Sequence, residues 1–364
     1  MTSQASSVPR RVLVVGNGLI GASIGLALRA HGVDVRLEDA DPAKVRLAAE
    51  LGAGQPYEST ADPADHAVIA VPPAYVAETL HRLQESGLTR SASDVASVKT
   101  GPLAAVRQRG CGLAAFVGGH PVAGRERSGP AAARPDLFTG RPWVLTPTAE
   151  TSDDTLASAR AVAELCGAVP VVMSATEHDE AMALVSHAPQ VVASALAALL
   201  LDAPPSTVAL AGQGLRDLTR IAASDPALWT DIATANAAPL ADVLHRLIDG
   251  LAAVAFALEV GDGTAVADGL RAGNAGYARL PGKHSRPAAS YAVVPVVLPD
   301  EPGRLARLFA DAAEAGVNVE DLSVEHAPGA PVGVIELAVL PTAASALVGA
   351  LSERGWSVHP VLHT

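Results

Sequence analysis

The feature that most restricts this chain is a glycine cluster near its start: Gly16, Gly18 and Gly21 in the string G-N-G-L-I-G. The cluster follows a β-branched apolar run, Arg11 to Val15, and opens a periodic apolar stretch from Ile20 to Ala30. Strand, tight turn and helix in that order make a βα unit. Each glycine has its own task in such a turn. Gly16 permits the bend, Gly18 lets the backbone approach a pyrophosphate, and Gly21 lets the helix pack close on the strand. Leu19 and Ile20 open the helix, whose first N–H groups have no partner within it and are free to bind phosphate. Asp39, with Glu38 as the alternative, ends the second strand about 20 residues beyond the glycines, where a carboxylate accepts from ribose hydroxyls and repels a 2′-phosphate. The cofactor expected is therefore NAD rather than NADP.

Further strands are expected at Val33 to Leu37, His66 to Val71, Val95 to Val98, Ala115 to Gly118, Trp143 to Thr146 and Val169 to Met173, with a helix over Asp153 to Cys166. Strands alternating with helices imply a parallel sheet covered on both faces, a Rossmann-type α/β domain over residues 10–173. From Ser174 the pattern turns to long Ala/Leu-rich helical segments, an all-α second domain over 174–272. Residues 273–289, rich in Gly, Pro and basic side chains, read as a linker. After it come Tyr291 to Leu298 (strand), Gly303 to Ala315 (helix), Val317 to His326 and Val332 to Leu340 (strands), Ala343 to Arg354 (helix) and Trp356 to Val361 (strand). That βαββαβ order over 290–364 is the ferredoxin-like arrangement.

A chain of 364 residues suits two or three domains. With aromatics at 3% and hydrophobic residues at 49%, its interior must be filled by Ala, Val and Leu. A net charge of -12 with no basic block excludes nucleic acid as a partner. Cys111 and Cys166 make neither a disulfide framework nor a metal-ligand spacing, so no metal centre is expected and the compartment is a reducing one, the cytoplasm. The first ten residues lack the apolar core of a signal peptide and read as a disordered leader. The apolar run Ala188 to Leu201 is interrupted by Pro189, Gln190 and Ser194, so it reads as a core helix too short for a membrane span.

Four segments carry chemistry: D-V-A-S-V-K (Asp94 to Lys99), G-H-P-V-A-G-R-E-R-S-G (Gly119 to Gly129), S-H-A-P-Q (Ser186 to Gln190) and L-T-R-I-A-A-S-D-P-A-L-W (Leu218 to Trp229). With them the chain resembles the prephenate and arogenate dehydrogenase family from the first strand through the helical domain. The resemblance implies hydride transfer from ring carbon C4 to NAD with loss of the C1 carboxylate as carbon dioxide. It makes His120 the base that takes the C4 hydroxyl proton, with Ser97 bonding either the imidazole or that hydroxyl. Arg220 matches the arginine that anchors a substrate carboxylate, Glu126 an acid near the site entrance, and Trp229 an aromatic packed there or supplied by a partner subunit. Val71 and Pro72 are expected beside the cofactor ribose, and Lys99 as a neighbour of the site.

Two positions depart from the family. Gln190 stands where a second histidine is frequent; it can hydrogen-bond but can neither become cationic nor shuttle a proton. On a helix Ser186 and Gln190 share a face, with His187 alongside. Arg125 stands where a small hydroxyl residue is frequent. The Gln190 change leaves open a 4-amino-4-deoxyprephenate substrate, with an amine at C4, and arogenate as a third choice. A 3-hydroxyacid or imine reductase would lack the Gly119 to Gly129 segment, and a non-catalytic NAD sensor would not need His120, Ser97 and Arg220. Pro299 to Phe309 with Ala315 to Leu322 resembles the ACT regulatory domains, which implies an amino-acid effector near Gly316 and Asn318. The resemblance also makes the helical domain over 174–272 the one that binds substrate and forms the dimer, so a homodimer is the family-based expectation.

Overall fold

Strand β1 (Arg11–Val15) carries an apolar side chain at almost every position, and its neighbours alternate between two cores. Val12 and Val14 pack with α1 (Leu19–Ala30) and α5 (Asp153–Leu165), while Leu13 and Val15 face α3 (Val76–Glu85) on the other side. A strand buried on both faces belongs in the middle of a sheet clad by two helical layers. In the computed structural model, which describes residues 8–58, 62–123, 129–280, 291–299, 301–326 and 332–363, that is its position.

The first of two compact units, Met1–Leu247, is built on eight strands. After β1 come β2 (Asp34–Glu38), α2 (Pro42–Glu50), β3 (Gln55–Pro56), β4 (His66–Ile69), α3, β5 (Ala92–Asp94), α4 (Thr100–Gln108), β6 (Phe116–Pro121), β7 (Pro142–Thr146), α5 and β8 (Val169–Val172). The sheet order is β3-β2-β1-β4-β5-β6-β7-β8, so the chain changes direction of travel across the sheet between β1 and β4. The crevice beyond the carboxyl ends of those two strands is where such sheets bind dinucleotides.

Two expectations need correction. The sheet is not wholly parallel, because β6 and β7 run antiparallel, with Gly118 opposite Thr146 and His120 opposite Val144. A parallel pair needs a long crossover, and the described part of the β6–β7 connection holds only one short 3₁₀ turn, Pro130–Ala132. The strand expected at Val95 to Val98 is instead Ala92–Asp94. The Asp94 carboxylate accepts the Ala96 N–H at 2.8 Å and turns the chain out of the sheet, so Ser97 lies in the loop that enters α4.

The helices that follow are α6 (Ala175–Met182), α7 (Ala188–Ala198), α8 (Pro205–Val208), α9 (Gln213–Thr219), α10 (Pro226–Ala235) and α11 (Ala237–Glu259). A capping box starts α6: Glu177 N–H donates to Ser174 Oγ at 3.2 Å and Ser174 N–H to the Glu177 carboxylate at 2.8 Å. One π-type turn, Ala183–His187, joins α6 to α7 in a continuous helix of 24 residues. The widening lies where Pro189 removes the N–H that the Val185 carbonyl would accept. By length and apolarity alone this helix could cross a membrane, and it extends well upstream of the expected start at Ala188.

The second unit, Ile248–Thr364, begins within α11 and continues through α12 (Gly263–Tyr277). The helix α12 takes in residues 273–277 of the expected linker, and residues 281–290 lie outside the described residues. Then follow β9 (Ala292–Pro299), α13 (Arg304–Glu314), β10 (Asp321–His326), β11 (Val332–Val339), α14 (Pro341–Glu353), β12 (Ser357–Val358) and a short β13 (Leu362–His363). Strand β10 starts later than expected, because Val317 N–H first closes back on the Ala312 carbonyl at 3.1 Å. The sheet is antiparallel in the order β10-β11-β9-β12, with β13 also on β9. Val294, Val296, Leu308, Ile335, Leu337, Leu347 and Leu351 fill its core.

Candidate active site

The glycine turn has the geometry its sequence requires. Gly16 has φ +97°, and a Cβ there would sit 2.3 Å from the Ala70 carbonyl oxygen, so the loops after β1 and β4 touch. A Cβ on Gly21 would lie 1.8 Å from the Gly16 carbonyl oxygen, whereas one on Gly18 would meet nothing within 4 Å. Gly16 and Gly21 are thus demanded by the fold itself, and Gly18 borders the open space in front of the first turn of α1. Asn17 is fully buried, and its Oδ1 is the one buried side-chain polar atom without a partner among the described residues. The open space, the uncapped α1 terminus and this orphaned acceptor fit a dinucleotide in the crevice.

The acids at the tip of β2 are held in place. Asp39 accepts the Asn17 N–H at 2.6 Å and the Asp41 N–H at 2.9 Å, while the Glu38 carboxylate pairs with Arg82 of α3. Val71 and Pro72 follow β4 beside the glycine turn.

His120, near the end of β6, does not stand alone. Its Nδ1 is 2.8 Å from His178 Nε2, and His178 Nδ1 is 2.7 Å from Asp179 Oδ1. The Asp179 carboxylate, held low by His178 and by Thr100 and Lys99 despite its burial, can only accept. The proton on His178 therefore sits on Nδ1, its Nε2 accepts from His120 Nδ1–H, and His120 keeps a lone pair on Nε2. Burial, then His178, Lys99 and His187, pushes the His120 imidazolium well below its ordinary range, with Asp179 opposing them. His120 is thus neutral at pH 7, partly open at its edge and otherwise closely packed.

Asp179 also fixes the start of α4: Oδ1 accepts the Lys99 N–H at 2.8 Å, and Oδ2 the Thr100 N–H at 2.9 Å together with the Thr100 hydroxyl. A carboxylate at a helix N-terminus is favoured by the backbone dipoles as well. From the other side Asn236, the C-cap of α10, donates through Nδ2 to the Asp179 carbonyl at 2.8 Å and lies 3.1 Å from His187 Nδ1. His187 in turn meets Trp229 edge to face, with ring centroids 6.2 Å apart. His178, Asp179 and Asn236 were not anticipated; the available signal was a His-Asp pair directly behind the S-A-T-E capping string.

Of the other expected residues, Gln190 is buried and donates through Nε2 to the Ile221 carbonyl at 3.0 Å, beside Arg220 in the chain. His187 shares that buried face, and Ser186 is half-buried. Gln190 and Trp229 line a cleft of about 630 Å³ with Ala222, Ser224 and Pro226. Arg220 opens a 3₁₀ turn and is exposed. The Lys99 side chain is 1% exposed and pairs with Asp94 and the Gly119 carbonyl. Arg125 and Glu126 lie outside the described residues.

Residues 24–172 match the nucleotide-binding domain of prephenate dehydrogenase, and residues 174–272 its dimerization domain. A relative from Streptomyces niveus, named "Probable prephenate dehydrogenase NovF", is 39% identical over 358 residues, 95% of this chain and 99% of its own length. This chain belongs to the prephenate dehydrogenase family. The prephenate dehydrogenase of Bacillus subtilis is 28% identical over 86% of this chain and 87% of its own. Among solved structures, an Aquifex aeolicus prephenate dehydrogenase in complex with hydroxyphenyl propionate and NAD+ superposes with a TM-score of 0.67 at 28% identity, covering 76% of this chain and 99% of that one. As a member of the family, the chain is an oxidoreductase of the oxidative-decarboxylase kind.

Proposed function

We propose that the chain converts prephenate, with NAD, to 4-hydroxyphenylpyruvate and carbon dioxide, and that His120 Nε2 is the base. The observation that carries this reading is the Asp179–His178–His120 chain, which leaves the imidazole neutral with its lone pair pointing away from His178. NAD, when bound, supplies the acceptor for the C4 hydride. As the C4–H bond breaks, the C4 hydroxyl proton passes to His120 Nε2, and His120 Nδ1–H strengthens its bond to His178. The C1–carboxylate bond then breaks, its electron pair completes the aromatic ring, and His120 returns the proton to the phenolate oxygen. Ser97 orients the hydroxyl, and Arg220 grips a substrate carboxylate. Gly16, Gly18, Leu19, Ile20 and Gly21 hold the pyrophosphate, Asp39 the ribose, and Val71 and Pro72 border it. Replacing His120 with Asn tests the reading: turnover followed at the NADH absorbance band should fall about 10²–10⁴-fold with the cofactor KM little changed. Turnover within twofold of wild type would remove His120 from the chemistry.

A second reading of the substrate rests on Gln190. With Nε2 committed to Ile221, the amide turns its oxygen, an acceptor, the other way. An acceptor suits a donor such as the C4 amine of 4-amino-4-deoxyprephenate, or the ammonium of arogenate. Comparing turnover of the three substrates decides it, and a strong preference for prephenate ends the amino reading.

The C-terminal unit we read as an ACT-like, ferredoxin-like regulatory domain. Its support is the βαββαβ order and a cleft of about 350 Å³ lined by Phe309, Ala312, Val317, Asn318 and Asp321, beside the Gly316 turn. Tyrosine or a related amino acid is the proposed effector; no heat of binding and unchanged kinetics would refute it. The same reading makes the enzyme a cytoplasmic homodimer joined through its helical domain.

A further inference from the structure

We infer that Lys99 is a positioning residue that holds His120 from both ends, through the peptide before it and through the carboxylate behind its partner. The inference rests on the reading of His120 as the base. Lys99 Nζ donates to the Asp94 carboxylate and to the carbonyl of Gly119, the residue directly before His120. Its backbone N–H donates at 2.8 Å to Asp179 Oδ1, the same oxygen that lies 2.7 Å from His178 Nδ1. One residue therefore fixes the strand that carries the imidazole and the acceptor that sets its tautomer.

The surroundings are cut to fit this side chain. A Cβ on Gly118 would lie 2.3 Å from Thr146 Oγ1 and 3.3 Å from Lys99 Cδ, and one on Gly119 only 2.5 Å from the Asp94 carbonyl oxygen. Two glycines in succession let β6 approach close enough for the buried ammonium to reach a main-chain carbonyl. Stability alone does not account for the pair. Removing an ammonium and a carboxylate from water costs about as much as their attraction returns, and an apolar pair of equal volume often serves as well.

The ammonium also acts by charge. Among the described residues the groups that act on His120 are His178, Lys99, His187 and Asp179; of these Asp179 favours the imidazolium, and Lys99 opposes it. Without Lys99, His120 would take up a proton at higher pH, and the base would be blocked over more of the neutral range.

The test compares the pH dependence of kcat in three variants of the full-length enzyme: Lys99→Gln, which keeps a donor to the Gly119 carbonyl without the charge, Lys99→Met, and Lys99→Met with Asp94→Asn. The expected result in the double variant is a melting temperature near wild type, an NAD KM within about twofold, and a kcat about tenfold to hundredfold lower, the scale on which small misplacements of a reacting group act. In Lys99→Gln the acid limb moves to higher pH while the plateau falls less than in Lys99→Met. An unmoved acid limb and an unchanged kcat in any folded variant would overturn the inference, and so would loss of the fold in all three, which would mark Lys99 as a stability element. His120→Asn separates the two levels: if that variant keeps the wild-type acid limb, the base is another group, whatever Lys99 does.

Discussion

Replacing Asp179 with Asn keeps the shape of the side chain and removes its charge and half of its accepting capacity. The carboxylate takes four hydrogen bonds: His178 Nδ1–H and Lys99 N–H on Oδ1, Thr100 N–H and hydroxyl on Oδ2. An amide has one oxygen, so two of these donors lose their acceptor. The Thr100 hydroxyl can turn and accept, and Thr100 is exposed to water, so the amide nitrogen settles on that side. The loss in stability is then about 1–3 kcal/mol, the cost of one deprived backbone N–H, with the lower end favoured by exposure. The effect on catalysis is different in kind. Asp179 raises the basicity of His120 through His178, so the neutral amide leaves a weaker base that stays unprotonated to lower pH. The plateau of kcat should fall roughly tenfold to a hundredfold and the acid limb should move to lower pH, opposite to the shift expected for Lys99→Gln. The assay is initial rate at the NADH band from pH 5 to 9, with thermal melting as the control for folding. A folded variant with a plateau within twofold of wild type and an unmoved limb would show that Asp179 only holds α6 on α4.

Gly18→Ala should fold with wild-type melting and raise the NAD KM, whereas Gly21→Ala, whose methyl would meet the Gly16 carbonyl, should lower the melting temperature; equal behaviour in both assays would contradict the division of roles. His66 is fully buried between the Ser91 and Ser93 hydroxyls at 2.8 and 2.9 Å, and burial pushes it from 6.5 to about 3. The fold favours its neutral form, so its contribution is complete above pH 6.5 and erodes as pH falls towards 3; at pH 5 the loss is about 2 kcal/mol, and urea midpoints at pH 7 and pH 5 in wild type and His66→Asn check it. Gln190→His should shift the ratio of kcat/KM towards prephenate over the C4-amino substrate by tenfold or more, and an unchanged ratio would remove Gln190 from substrate choice.

What was legible in the sequence is what backbone geometry forces into particular residue types. Gly16 and Gly21 stand where a side chain has no room, β1 and β4 read as strands because burial on both faces demands continuous apolar runs, and β2 because buried Val35 and Leu37 alternate with polar residues. The direction of β7 was not legible: an apolar strand looks alike whichever way it runs, and the register that sets Gly118 opposite Thr146 gives it away, with only a short 3₁₀ turn among the described residues of the connection. The strand at β5 was misplaced because V-A-S-V has the better β pattern, whereas the Asx turn at Asp94 decides where pairing stops. His178, Asp179 and Asn236 escaped for a related reason: they are polar residues in helical segments, and only packing brings His178 to His120 from 58 residues away in the chain and Asn236 to the Asp179 carbonyl from 57.

That origin has a consequence for how the base works. His120 and Lys99 belong to the nucleotide-binding domain, while His178, Asp179 and Asn236 come from helices after it. Two of the charges that act on His120 in opposite senses, Asp179 and Lys99, meet at one peptide, where the Lys99 N–H joins the Asp179 carboxylate at the mouth of α4. If α6 drew away from α4, Asp179 would lose the Lys99 and Thr100 donors that hold its carboxylate, and His120 would lose His178, the partner that holds its own proton away from the substrate. The imidazole would remain, but neither its tautomer nor its basicity would be set. On the reading of His120 as the base, its competence depends on the contact of α6 with the start of α4, so variants that loosen this contact, such as Asn236→Ala, should lower kcat even though Asn236 touches neither ring of the His120–His178 pair.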